Sequence, residues 1–208
     1  MLGLAIHTTS PQLGLALVDS DQGTERHQVW DLGREVSSHL HIKLMEFIVP
    51  YTWRDLSFIA VAKGPGGFTG TRIGVVAART LAQQLEIPLF GVSALAAIAI
   101  PLAQADPTHD VAVSMPAKRE AVYGAVYRLD NRGDLMPLLA EAVIPENEWN
   151  DIVATWQQPV KEITTTAGAG IADSVTGVMA LAMIRWGQGD RPNWSSVLPF
   201  YGQHPVHR

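Results

Sequence analysis

The side chains able to do chemistry are sparse in this sequence and poorly grouped. There is no cysteine, which removes thiolate nucleophiles, disulfides and thiolate metal sites together. His39 and His41 stand two apart, and on a helix that spacing turns the rings about 200° from each other, so the pair reads as surface or interface histidines rather than metal ligands. His204 and His207 lie near the end with no acidic residue close by and read as solvated. A nucleophilic serine needs a base and an orienting group, and Gly-x-Ser-x-Gly does not occur. Thr8, Thr69 and Ser114 are the hydroxyls a peptidase would draw on, against ordinary turn and capping roles for each. Arg72 can meet an anion or a partner's carboxylate, or make a surface ion pair.

The elements that must position such groups are organised around Lys63-Gly64-Pro65-Gly66-Gly67-Phe68-Thr69-Gly70-Thr71-Arg72-Ile73-Gly74. Upstream, Phe58-Ile59-Ala60-Val61-Ala62 has the apolar, β-branched pattern of a buried strand. Downstream, residues 73–85 have helix-forming composition without proline. Gly64, Pro65, Gly66, Gly67, Phe68 and Thr69 therefore form a strand-to-helix loop, in which glycines permit angles a Cβ forbids and Thr69 is the N-cap. Free amides at a helix start also suit an anion. The spacing fits neither phosphate motif, however, since the Gly-Lys-Ser/Thr ending is missing and Thr69 stands where the dinucleotide pattern needs its last glycine. The loop is read as structural.

Gly70, Gly74, Ala78 and Ala82 recur every four residues, so one helix face carries almost no bulk over three turns. That face either packs inside its own domain or is offered to another subunit. On the second reading, Gly74→Arg or Ala78→Glu is expected to block assembly and leave the monomer folded.

With 208 residues the chain can build one generous domain or two small ones. Hydrophobic residues make up 47% and charged ones 17%, a surplus that suggests buried association. The net charge of −5, with no more than two Lys/Arg in a row, argues against direct, tight, nonspecific nucleic-acid binding. The longest apolar run, residues 94–103, is broken by Pro101 and falls short of the ~20 residues a spanning helix needs. A soluble, cytoplasmic protein that uses no membrane is expected.

In chain order, strands are expected at residues 2–6, 13–18 and 25–30, a helix capped by Ser37 or Ser38 and ended by Pro50, then the strand, loop and helix already described. An edge strand at 87–92 and a helix at 94–103 capped by Ser93 follow. The polar stretch 105–110 is the best boundary, dividing residues 1–106 from a smaller unit, 107–208, whose tail packs back on the first. Beyond it the opening is echoed: apolar strand, polar turn and apolar strand ending in Asp recur about 107 residues on, which suggests two lobes on one plan. Further on come a strand at 136–144, a short helix after Pro145, a strand at 161–167 and a helix at 175–186 capped by Asp173 or Ser174.

Gly64-Pro65-Gly66-Gly67-Phe68-Thr69-Gly70-Thr71-Arg72-Ile73-Gly74 resembles the G-P-G-S-F-T-G-x-R-x-G signature of the bacterial TsaB (YeaZ) family, with Gly67 in place of serine. Leu4-Ala5-Ile6-His7-Thr8-Thr9-Ser10 is similar to that family's L-A-I-D-T-S/T-T opening, and Pro199-Phe200-Tyr201 to its C-terminal P-x-Y-L/V-R. The resemblance covers most of residues 1–130 and returns at the tail. It implies an α/β, two-lobed actin/Hsp70/sugar-kinase-like (ribonuclease H-like) fold with duplicated βββαβα cores, the second lobe reduced. It further implies a non-catalytic scaffolding subunit without cofactor. Such a subunit binds and activates its paralogue TsaD, which transfers threonylcarbamoyl to adenosine 37 of tRNAs reading A-starting codons. TsaE joins the complex, TsaC supplies the activated group, tRNA is met only indirectly, and homodimers form when TsaD is absent. Docking is implied through helices at 38–49 and 70–85, with Leu40, Leu44, Ile48, Gly70, Arg72, Ile73, Gly74, Ala77, Ala78 and Leu81 at the interface. The superfamily's nucleotide chemistry needs an acid at the first strand of each lobe. Those positions are His7 and Ser114 here, neither able to replace a carboxylate around Mg²⁺. A small ATP-dependent phosphotransferase and a peptidase-like protein are the alternatives.

Overall fold

The computed structural model describes residues 1–166 and 170–202; His204, His207 and the end of the strand expected at 161–167 lie outside them. β1 (Leu2–His7) is apolar at nearly every position and buried throughout, as a central strand must be. β2 (Gln12–Asp19) and β3 (Thr24–Asp31) continue it as an antiparallel meander, β3 polar and exposed at the edge. α1 (Val36–Ile48) crosses over to β4 (Leu56–Ala62), which runs parallel to β1. α2 (Phe68–Leu85) leads to β5 (Leu89–Val92), giving the order β3-β2-β1-β4-β5. α3 (Ala94–Ala105) then connects to the second sheet, with Ser93 Oγ accepting from the amides of Leu95 and Ala96 as a helix cap.

The second sheet repeats the plan. β6 (Asp110–Pro116), β7 (Ala121–Leu129) and β8 (Leu135–Pro145) form a meander, α4 (Glu146–Ala154) crosses over, and β9 (Val160–Thr164) lies parallel to β6. Its order is β8-β7-β6-β9, four described strands against five. α5 (Val175–Gly187) is the last α-helix among the described residues, with a 3₁₀ turn at Trp194–Ser196 beyond it. The echo seen 107 residues apart is thus a repeated sheet topology, with His7 and Ser114 at equivalent places on β1 and β6.

One apolar cluster joins Ala5, Phe58 and Ala60 of the first sheet to Val111, Val113 and Ala125 of the second through the alanine- and valine-rich faces of α3 and α5. A second cluster fills the other side of the first sheet with Leu40, Leu44, Phe47 and Ile48 of α1 and Val75, Ala78 and Ala82 of α2. The segment after α5 returns to the first sheet. Leu89 donates its amide to Pro192 O, the Phe200 amide donates to Lys63 O at 2.7 Å, and Val197 is buried.

Local starts differ from expectation at three helices. α2 begins at Phe68 with Gly67 as its cap residue, so Thr69 lies inside the first turn rather than capping it. α1 grows out of a 3₁₀ turn at Gly33–Glu35, and Ser38 Oγ donates back to Glu35 O instead of receiving an amide. Before α5 a second 3₁₀ turn, Ile171–Ser174, takes the place of a side-chain cap, and Ser174 Oγ donates to Ile171 O. Before α1 and α5 a 3₁₀ turn thus stands where a side-chain cap was expected, and at α2 no side chain caps the start.

Candidate functional site

The strand ends that would hold a metal-bound phosphate carry no acid. His7 is fully buried, and neither ring nitrogen has a hydrogen-bond partner. Burial lowers its pKa from 6.5 to about 3, so the ring is neutral. Ser114 is also buried and donates to Thr164 Oγ1 at 3.2 Å. Between the sheets lies a cleft of about 920 Å³, lined from one side by Thr9, Ser10 and the glycine loop and from the other by Met115, Lys118 and Tyr123. No aspartate or glutamate is among its described lining residues, so the carboxylates on which a Mg²⁺ site is usually anchored are missing from those walls.

The glycine loop uses its own polar groups. Gly64 O accepts from the Ala94 amide at 2.8 Å, and the Gly67 amide donates to Thr9 O at 2.6 Å. Pro65, in a cis peptide with Gly64, is buried. A Cβ at Gly66 would stand 2.3 Å from Thr9 O. The loop is a wedge under the β1–β2 turn, and Gly66, Gly67, Phe68 and Thr69 at the same time line the cleft between the sheets.

The small-residue stripe continues that wedge, and here the expectation of an exposed interface is corrected. Added Cβ atoms would stand 2.1 Å from Thr8 O at Gly70 and 2.1 Å from Thr8 Oγ1 at Gly74. Thr8 Oγ1 donates to Gly70 O at 2.8 Å, and Ala78 and Ala82 are wholly buried. The stripe lets α2 approach the buried Thr8-Thr9 backbone of its own sheet. Leu40, Leu44 and Ile48 likewise belong to the interior, because α1 buries the face that carries them. Gly74→Arg and Ala78→Glu would therefore strike the fold and not merely an assembly.

What the two helices present outward is a neighbouring face. Ile42 and Met45 on α1 and Val49 just past its end are 49%, 65% and 60% exposed, and on α2 Val76 is 60% exposed. Between the helices runs a groove of about 540 Å³, to whose lining Arg72, Ile73, Ala77 and Leu81 contribute, with Leu40 at its floor and His41 and Thr80 alongside. Five of the ten expected interface residues, Leu40, Arg72, Ile73, Ala77 and Leu81, thus line a surface groove, Leu40 while itself buried. Ile42, Met45, Val49 and Val76 are exposed apolar side chains that the sequence does not single out, although 42, 45 and 49 follow i, i+3, i+7. Their stripe was hidden by the stronger one at 40, 44, 47 and 48, since a helix apolar on two faces yields no single outward side.

Arg72 itself is exposed, its guanidinium lying over the Phe68 ring at 5.3 Å. His41 is exposed on α1, whereas His39 Nδ1 lies 3.2 Å from Glu35 O. Among the described residues no three His, Asp or Glu side chains are grouped so as to hold a metal ion.

The model of the TsaD family, tRNA N6-adenosine threonylcarbamoyltransferase, matches residues 45–174. The Bacillus subtilis tRNA threonylcarbamoyladenosine biosynthesis protein TsaB is 34% identical over 163 residues, covering 76% of this chain. Its Escherichia coli counterpart is 33% identical over 114 residues, covering 50% of this chain. Against these two relatives the matches span 66% and 49% of their length. The solved structure of YeaZ from Pseudomonas aeruginosa superposes with a TM-score of 0.75 at 23% identity, covering 96% of this chain and 99% of that one. That likeness is one of fold.

Proposed function

The chain belongs to the TsaB (YeaZ) family, and from that premise we propose that it is a non-catalytic subunit that binds TsaD and activates it for threonylcarbamoyl transfer to adenosine 37 of tRNA. The observation that carries the reading is the outward face of α1 and α2, where Ile42, Met45, Val49 and Val76 stand exposed beside an apolar groove. Large side chains of this kind gain free energy only when a partner covers them. The helix-packed lobe, residues 1–106, supplies the docking face, and the smaller lobe, 107–208, braces it. With TsaD absent, two copies pair through the same face; TsaE joins the assembled pair, and tRNA meets TsaD. A cytoplasmic site of action follows from this role, and among the described residues no helix is long and apolar enough to cross a membrane.

A second reading, a phosphotransferase acting in the interlobe cleft, has against it the neutral His7 and a wall without carboxylates. The test uses the purified chain and its cognate TsaD. The two should co-purify, Met45→Glu and Val76→Glu should each remove binding while leaving the melting midpoint within about 2 °C, and the chain alone should give no heat with Mg-ATP. Undiminished binding by both variants would exclude this face, and nucleotide uptake by the isolated chain would favour the phosphotransferase.

A further inference from the structure

A line of side chains connects the second sheet to the outward face of α2. Tyr123, on β7, donates its hydroxyl to Tyr201 O at 3.2 Å. The Tyr201 ring packs on Phe68 with centroids 4.6 Å apart and planes inclined by 37°. Phe68 opens α2 and is 41% exposed, and one turn on, the Arg72 guanidinium lies over its ring. The backbone of the same tail is pinned to the first sheet at Phe200–Lys63. Residues far apart in sequence thus converge on one cation.

Arg72 has no ion-pair partner among the described residues, in a chain with an excess of acids. It lines the groove between α1 and α2. A guanidinium held over an aromatic ring keeps its N–H groups available in its own plane, and that fork matches a carboxylate. The ring also restricts the side chain before any partner arrives, which lowers the ordering cost of docking.

We propose that Arg72 is the specificity-determining cation of the partner face, taking a carboxylate of the docked TsaD, and that Tyr201 positions it through Phe68. This rests on the reading that the face binds TsaD. The C-terminal segment then acts on the interface without touching the partner, and its seating between the two sheets sets how tightly the partner is held.

The experiment compares the affinity for TsaD of the wild type with Arg72→Ala, Arg72→Lys, Tyr201→Leu, Tyr201→Phe and the Arg72→Ala/Tyr201→Leu double variant. Arg72→Ala should weaken binding on the order of ten- to a hundredfold, the range of a charge-assisted hydrogen bond, and Arg72→Lys should not restore it. Tyr201→Leu should weaken it roughly three- to tenfold through the lost ring contacts, while Tyr201→Phe keeps the stack and binds as the wild type does. Once Arg72 is gone, Tyr201→Leu should add nothing, because both act through one contact. Tyr123→Phe, which loosens the tail without removing a ring, provides a milder test and should weaken binding a few fold. If Tyr201→Leu is folded and binds like the wild type, or if its effect multiplies with that of Arg72→Ala, the positioning role is wrong. A wild-type chain that does not bind TsaD at all overturns the functional reading and this inference with it.

Discussion

Replacing Gly74 by alanine adds one methyl group at the point where α2 rests on the β1–β2 turn. That Cβ would stand 2.1 Å from Thr8 Oγ1 and 3.3 Å from Thr8 Cβ. Thr8 is fully buried and its hydroxyl is committed to Gly70 O, so it has no open space to swing into. Overpacking of this kind costs about 1–3 kcal/mol, and displacing the hydroxyl forfeits about 1 kcal/mol of hydrogen bonding. Against this, alanine is favoured over glycine in a helix interior by about 1 kcal/mol. The net expectation is a loss of about 1–3 kcal/mol, which for a chain of this size lowers the thermal midpoint by roughly 4–8 °C at the centre of that range. Urea unfolding should show the same loss as a lower midpoint with an unchanged slope. Thr8→Ala in the Gly74→Ala background should recover part of it, since the two positions share one contact. A Gly74→Ala variant as stable as the wild type but unable to bind TsaD would mean that the small stripe faces a partner after all, and the inward packing described above would be wrong.

Two further perturbations probe the buried polar groups. His7 stays neutral in the fold down to about pH 3, whereas the unfolded chain takes up a proton near the ordinary 6.5. Its contribution is therefore present above pH 6.5 and lost as pH falls toward 3, by about 1.4 kcal/mol per unit between pH 6 and 4. The difference between wild-type and His7→Leu unfolding free energies should carry that slope, and parallel curves would mean that His7 titrates freely. Asp110 sits buried at the start of β6, accepting from Arg128 Nε at 2.7 Å, Arg128 Nη2 at 2.9 Å and Trp156 Nε1 at 2.9 Å. Burial raises its pKa, but these donors, Arg128 foremost, outweigh burial and hold the carboxyl below its usual range. Arg128→Ala should destabilise by about 2 kcal/mol by leaving that carboxylate underpaired, and a change below ~0.5 kcal/mol on denaturant titration would show that Trp156 suffices.

Local interactions made much of the architecture legible. The run at 58–62 is a strand, Ser93 caps the helix after it, and the 107-residue echo is a repeated meander, because period, capping and strand polarity are properties of neighbouring residues. That His7 and Ser114 stand where the superfamily carries acids was legible only through the family resemblance. The caps expected from Thr69, Ser37 or Ser38, and Asp173 or Ser174 were not used. Polar side chains near a helix start are only candidates, and here 3₁₀ turns precede α1 and α5 while an extended glycine precedes α2.

By itself the sequence determined that α2 would have a face without bulk and that α1 would carry an apolar stripe at 40, 44, 47 and 48. Which neighbour occupies the bare face was decided only when the β1–β2 turn laid Thr8 and Thr9 against Gly66, Gly70 and Gly74. Because α1 is apolar on two sides, periodicity cannot say which of them is buried; the sheet beneath makes that choice by what it can cover. The contact of Tyr201 with Phe68 likewise joins residues far apart along the chain. Such a pairing depends on how both sheets seat the tail, and no local pattern encodes it.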